Sequence, residues 1–175
     1  MSHHHEHVYQ IIVQQFSQNL HSLTTLLNKA TAHAETLKYD PNKFLDMKLA
    51  PDMFTFIKQV QMTTDTAKGA VARLSGKENP VYPDDEKTFP ELIARVQKTI
   101  HFLESFKKDD FNAYESKTVS FPWYPGKHLE GKTYLHSFVI PNFYFHLTTA
   151  YNLLRNAGVA IGKSDFLGNV DWKND

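Results

Sequence analysis

The chain contains no cysteine. That excludes a disulfide framework, a thiol nucleophile and a thiolate-ligated zinc site. It has no surplus of either charge: 19 Lys+Arg balance 19 Asp+Glu. A nucleic-acid footprint needs a basic excess or stripe, so no nucleic-acid partner is expected. No apolar run approaches the roughly 18 residues of a membrane span, so no membrane partner is expected either. The opening "MSHHHEHVYQ" lacks a basic region followed by an apolar core, so it does not read as a secretory signal, and a cytoplasmic location follows by default. The recognised catalytic motifs are missing too: no phosphate-binding Gly loop, no nucleophile elbow and no HExxH. What remains is a 175-residue chain with 41% apolar and 22% charged residues, a composition suited to one globular domain with a sizeable core.

Its texture is helical. Ile12, Phe16, Leu20, Leu23, Leu27, Ala30, Ala34 and Leu37 recur at steps of three and four, one stripe on a long helix from about Val8. Asp40 and Pro41 suit the cap and first turn of a short helical piece. A second long helix is expected near Pro51, with Met53, Ile57, Val60, Thr64, Ala67, Val71 and Leu74 as its stripe and Gly76 as its stop. The Pro- and charge-rich "GKENPVYPDDEK" is long enough to cross the bundle rather than turn back tightly. Thr88 and Glu91 form a capping box for a third helix, with Pro90 in its first turn. "KTVSFPWYPGKHLEGKTY" alternates and carries Pro-Gly, as a small β-hairpin does. A fourth helix then runs from about Tyr134 to Ala157 and ends at Gly158. These elements make an all-α four-helix bundle with a hairpin insertion before its last helix. Residues 1–7 form a His-rich, disordered N-terminus, and residues 8–175 the single domain.

Asn142 and His146 are the conspicuous polar pair. They share one stripe of the fourth helix, one turn apart, among large apolar side chains. Two readings stand. His146 is a metal ligand or general base, or it is a core histidine satisfied by a carbonyl or amide. Gln61 and Asp65 provide polar groups on the facing stripe of the second helix, with Lys68 placed to pair with Asp65. Zinc normally takes three good protein donors. One imidazole and one carboxylate fall short, so no metal is expected; if one is present, His146 and Asp65 hold it. His136 lies about 15 Å from His146 along a continuous helix and reads as a terminus or surface contact. His3, His4, His5 and His7 precede the first apolar repeat, so nothing holds them in a site. The aromatic cluster from Phe121 to His128 is either a binding lip or a cap on one end of the bundle.

Four stretches carry a resemblance: "LAPDMFTFIKQVQ", "DTAKGAVARLSG", "PNFYFHLTTAYNLLRNAGV" and "KSDFLG". In this order they resemble the DUF1993 family of the DinB/YfiT-like metalloenzyme superfamily, over residues 8 to 168. The resemblance implies a DinB-like four-helix bundle with a crossover connection. It also implies a divalent-metal site built from one His on the second helix and an HxxxH pair on the fourth. His146 matches the second His of that pair. Asn142 stands in place of the first, and the second-helix His falls at about Gln61. Two of three ligands are thus replaced.

Two functions are expected on these grounds. The first is a small-molecule-binding or interaction protein whose metal pocket has degenerated, lined by Gln61, Asp65, Asn142 and His146. The alternative is a divalent-metal-dependent enzyme, with Zn or Ni, of hydrolase or thiol-transferase type and using His146 and Asp65. A homodimer is expected, because the fourth helix is apolar on both flanks and relatives of this fold often dimerise. Ile140, Phe143 or Leu147 would lie at the subunit contact. If the polar pair serves a ligand, replacing Asn142 or His146 with Leu should leave the melting temperature unchanged or raise it.

Overall fold

All but the last residue of the stripe on the first helix enters the core: Ile12, Phe16, Leu20, Leu23, Leu27, Ala30 and Ala34 are fully buried. The computed structural model describes residues 4–174. Helix α1 covers residues 4–36, as an α-helical start (His4–Tyr9), a π-helical stretch (Gln10–Gln15) and an α-helical body (Phe16–Thr36). It begins inside the segment expected to be unstructured, and Glu6 pairs there with Lys108 at 2.9 Å. Residues 1–3 of that segment lie outside the described residues. Leu37 leaves the stripe: it caps the helix, is exposed, and precedes Lys38 at a φ of 53°.

Asp40 caps a 3₁₀ turn, Pro41–Asp46, by accepting the Asn42 N–H at 2.9 Å. Helix α2 (Phe56–Ser75) starts five residues later than Pro51. The intervening residues are used in a turn, with the Met53 N–H on the Ala50 carbonyl at 3.0 Å, and in a bridge between Lys48 and Thr55. The helix closes on Gly76 at a φ of 78°, the left-handed cap that glycine adopts without a Cβ penalty. Helix α3 (Phe89–Glu104) is capped by Thr88, whose hydroxyl accepts the Glu91 N–H at 3.4 Å. The Glu91 carboxylate reaches back to accept the Lys87 N–H at 2.6 Å, one residue beyond the N-cap N–H of a regular capping box.

Strands β1 (Thr118–Ser120) and β2 (His128–Glu130) form the expected hairpin, antiparallel, with Val119 opposite Leu129. Helix α4 then covers residues 131–156, with a π-helical segment (Tyr134–Val139) before its α-helical body (Ile140–Asn156). Pro141 explains the placing of that segment. A proline inside a helix clashes with the carbonyl four residues back, and a widened turn relieves the clash without breaking the helix. A short helix α5 (Lys163–Leu167) is tied to α1 by Asp165 and Lys29 at 2.6 Å.

Side-chain contacts fix the helix directions. Phe16 stacks on Phe143, and Tyr144 donates to Asn19, so α1 and α4 are parallel. Gln59, Thr66 and Arg73 meet His146, Asn142 and Tyr134 in turn, so α2 and α4 are antiparallel. Phe56 stacks on Phe89 and Arg95 reaches Thr64, so α2 and α3 are parallel neighbours. Parallel helices that follow one another need a connection running back along their length. Residues 77–88 are that crossover, a strap held to α2 by Lys68 on the Pro80 carbonyl, Lys58 on Asp84 and Gln61 on Glu86.

Two of the three residues expected at a subunit contact on α4 are turned inward, and the third is half-buried. Phe143 and Leu147 are fully buried within one chain, and Ile140 packs against the core. Helix α1 covers one flank and α2 the other, with Phe121 of the hairpin against Phe138. Among the described residues no helix is long and apolar enough to cross a membrane.

Candidate functional site

The four polar residues singled out in the sequence do not meet at one point. Gln61 turns toward the strap and donates to Glu86 Oε2 at 2.8 Å. Asp65 turns toward α3, where Arg95 holds its Oδ1 at 2.9 Å, with the expected Lys68 contact longer at 3.7 Å. Asn142 donates to Thr66 Oγ1 at 2.7 Å. His146 meets Gln59, not Gln61, with Nδ1 at 2.7 Å from Oε1.

Arg95 organises the strap side. Its side chain is only 2% exposed and lies between three carboxylates: Asp65, Asp84 at 3.1 Å and Glu86 at 2.9 Å. It also donates to Thr64 Oγ1 at 2.8 Å and to the Pro83 carbonyl at 3.0 Å. A planar guanidinium with five donors suits such a many-sided contact. The sequence did hold a signal for it: Arg95 sits on the apolar stripe of α3, between Leu92 and Thr99. Burial raises the Asp65 pKa, against the opposing charges of Arg95 and Lys68. Burial lowers that of Lys68, with Asp65 opposing.

Asp65 and Asn142 do share a space. They line a cleft of about 370 Å³ between α2, α4, the strap and the hairpin. Lys68 and Arg73 line it from α2, and Tyr82, Phe121, Trp123, Tyr134 and Phe138 supply aromatic walls. The hairpin cluster packs on α4 beside this cleft. Phe121 is buried against Tyr134 and Phe138, while Trp123 stacks on it at 4.7 Å and stays 61% exposed at the mouth. The π-helical segment of α4 contributes Tyr134 and Phe138, and such segments recur at functional sites. Asn79, another lining residue, has a buried Oδ1 with no hydrogen-bond partner among the described residues. A larger groove of about 690 Å³ runs between α1 and residues 164–169, but none of the sequence candidates line it.

Asn142 is half-buried, and Thr66 keeps its bond to the Met62 carbonyl at 2.7 Å without it. Asn142→Leu therefore strands no buried group. Its melting temperature is expected to stay within about 3 °C of the parent or to rise, one lost hydrogen bond being worth about 1 kcal/mol. Thermal unfolding checks this, and a fall above about 8 °C, some 2 kcal/mol or more, contradicts it.

His146 is a different case. It is 5% exposed, stacked against Phe54 and met edge-on by Phe145. The Gln59 amide donates to the Phe54 carbonyl at 3.3 Å, which leaves its Oε1 toward His146. The imidazole thus donates through Nδ1, and Nε2 carries the lone pair. Burial, helped by the Lys58 charge, lowers its pKa to about 4, so the ring is neutral at pH 7. This arrangement does not fit a tightly held metal. His146 has an amide for a neighbour rather than a second imidazole. Asp65 is turned to Arg95 and lies six residues from Gln59, about 9 Å along α2. Among the described residues no three His, Asp or Glu side chains form a group that could hold a metal ion. His136 is exposed, as expected.

Comparison with known proteins agrees with this architecture. None of the curated proteins matches the chain. A crystal structure of a DinB family member protein from Shewanella denitrificans is 40% identical, covers 100% of this chain and 99% of its own, and superposes with a TM-score of 0.96. The family model described as a domain of unknown function, DUF1993, matches residues 8–167. The chain therefore belongs to the DUF1993 family, and its fold is that of a DinB family member.

Proposed function

We propose that this protein binds a small molecule in the cleft between α2, α4, the strap and the hairpin. The observation that carries this reading is the cleft itself. Its volume, about 370 Å³, is within the range of small-ligand sites. Its make-up, aromatic walls with a few convergent polar groups, is that of a recognition pocket. Asp65 and Asn142 lie in this cleft, while His146 serves the packing of α4 on α2. The alternative, a divalent-metal-dependent enzyme using His146 and Asp65, rests on the resemblance to DinB-like proteins and finds no matching donor set.

The reading is tested by thermal-shift screening of a small-molecule panel on the parent and on Trp123→Ala. That substitution removes a wall at the mouth and uncovers one side of the Phe121 ring, while the polar lining keeps its hydrogen bonds. Compounds that raise the parent's melting temperature and fail to raise that of Trp123→Ala support the cleft. No stabilising compound, or equal stabilisation of both proteins, counts against it.

A further inference from the structure

The charge in the cleft is unevenly matched. Three charged side chains line it: Asp65, Lys68 and Arg73. Asp65 is committed to Arg95, outside the lining, and Lys68 is committed to the Pro80 carbonyl and to Asp65. Arg73 has no carboxylate beside it among the described residues. Its one side-chain hydrogen bond runs from Nη1 to the Tyr134 hydroxyl at 3.1 Å. A guanidinium offers five donors, so most of its hydrogen-bonding capacity is unspent.

The surroundings hold that guanidinium in place. It lies over Gly69, where a Cβ would fall 2.1 Å from Nη1. Glycine at this helical position clears room for the Arg73 head. The same head sits 5.3 Å from the Phe121 ring centre and 6.0 Å from that of Tyr134. Phe121 stacks in turn on Trp123. A fixed cation without a counter-ion, at the foot of a stack of rings open to solvent through Trp123, calls for a ligand with two parts. One is an anion that takes the two-pronged hydrogen bonding of a guanidinium. The other is a flat apolar ring that stacks on the walls. A cationic ligand is disfavoured by Lys68 and Arg73 together.

We infer that the cleft takes a small aromatic carboxylate, with its carboxylate on Arg73 and its ring against Trp123 and Phe138. This inference rests on the reading of the cleft as a ligand site, and the experiment separates the two. The probes are 3-phenylpropionate, its neutral amide and inorganic phosphate. The readout is the indole N–H resonance of Trp123 in NMR titrations, with the exposed Trp172 as an internal control. 3-Phenylpropionate should shift Trp123 saturably and leave Trp172 unmoved. It should bind roughly tenfold or more tightly than the amide, as the loss of a charge-assisted pair implies. Arg73→Met should abolish that preference, and Arg73→Lys should restore part of it.

Equal affinity for acid and amide overturns the assignment of charge and leaves the cleft standing as a ligand site. Phosphate binding as tightly as 3-phenylpropionate overturns the aromatic part. A Trp123 resonance unmoved by the acid overturns the inference outright, whereas the thermal-shift panel on Trp123→Ala decides separately whether the cleft binds anything. A preference for the acid that survives in Arg73→Met overturns the role given to Arg73.

Discussion

Arg95→Leu is expected to lower the melting temperature by roughly 10 °C, a loss on the order of 3 kcal/mol for a chain of this size. The reason is what the substitution leaves behind. Asp65, Asp84 and Glu86 converge on one guanidinium whose side chain is 2% exposed. Removing it leaves carboxylates facing one another in a partly desolvated space. Each keeps one other partner: Lys68 for Asp65, Lys58 for Asp84 and Gln61 for Glu86. That places the loss at the low end of the range for breaking a buried pair. The effect should be local as well as global. The strap, residues 77–88, loses the donor to its Pro83 carbonyl, and its amide hydrogens should exchange faster. Arg95→Lys keeps the charge without the planar fork and should fall between the two. A melting temperature for Arg95→Leu within about 3 °C of the parent, less than about 1.5 kcal/mol, would show that the strap is held by something else.

The second large effect depends on pH. His146 has a folded pKa of about 4 against an ordinary value of 6.5. Between these values the unfolded chain binds the extra proton and the folded chain does not. Stability from the neutral ring is therefore complete above pH 6.5, falls as the pH drops toward 4, and levels off below it. With allowance for solvent screening of the ring and of Lys58, the change is on the order of 2 kcal/mol. Other groups titrate in this window, so the comparison is with His146→Leu. At pH 7.5 that variant should itself be less stable by about 1–3 kcal/mol, since the buried Gln59 Oε1 loses its donor. Its further loss between pH 7 and pH 4.5 should be smaller than the parent's by about 2 kcal/mol, the share the imidazole supplied. Melting curves of both proteins across that range supply the test. An unchanged acid slope in His146→Leu contradicts the assignment.

This outcome divides the polar pair that looked alike in the sequence. For Asn142, replacement by Leu is still expected to be harmless. For His146, the structure reverses the expectation, because its partner is a buried amide that cannot turn to water. Periodicity correctly placed both residues on the inner stripe of α4. It could not give the rotation of α2 against α4, which puts Gln59 rather than Gln61 opposite the imidazole.

The helices were readable because their stripes are long and their stops chemically marked. Gly76 and Gly158 take positive φ where each helix ends. The crossover was readable because Pro-rich, charged residues 77–88 are too many for a tight turn. The start of α2 was misplaced because Pro51 and Asp52 suit a turn as well as a first helical turn, and a bridge between Lys48 and Thr55 decides between them. The cleft was only half readable. Asp65, Asn142 and the hairpin aromatics were marked by their chemistry. Lys68 was visible only as a partner for Asp65, and Arg73 passed as an ordinary helix residue. Its significance depends on Gly69 beneath it and on Phe121, 48 residues away in the chain and beside it in space.

The central claim is that ligand recognition lies in the cleft and not around His146. The most direct measurement is crystallography of the protein soaked with a library of small fragments. Bound fragments should concentrate between Arg73, Trp123 and Asn142, with anionic groups on the Arg73 guanidinium. Fragments gathered instead at His146 and Phe54, or in the groove along α1, with the cleft left empty, would contradict the account.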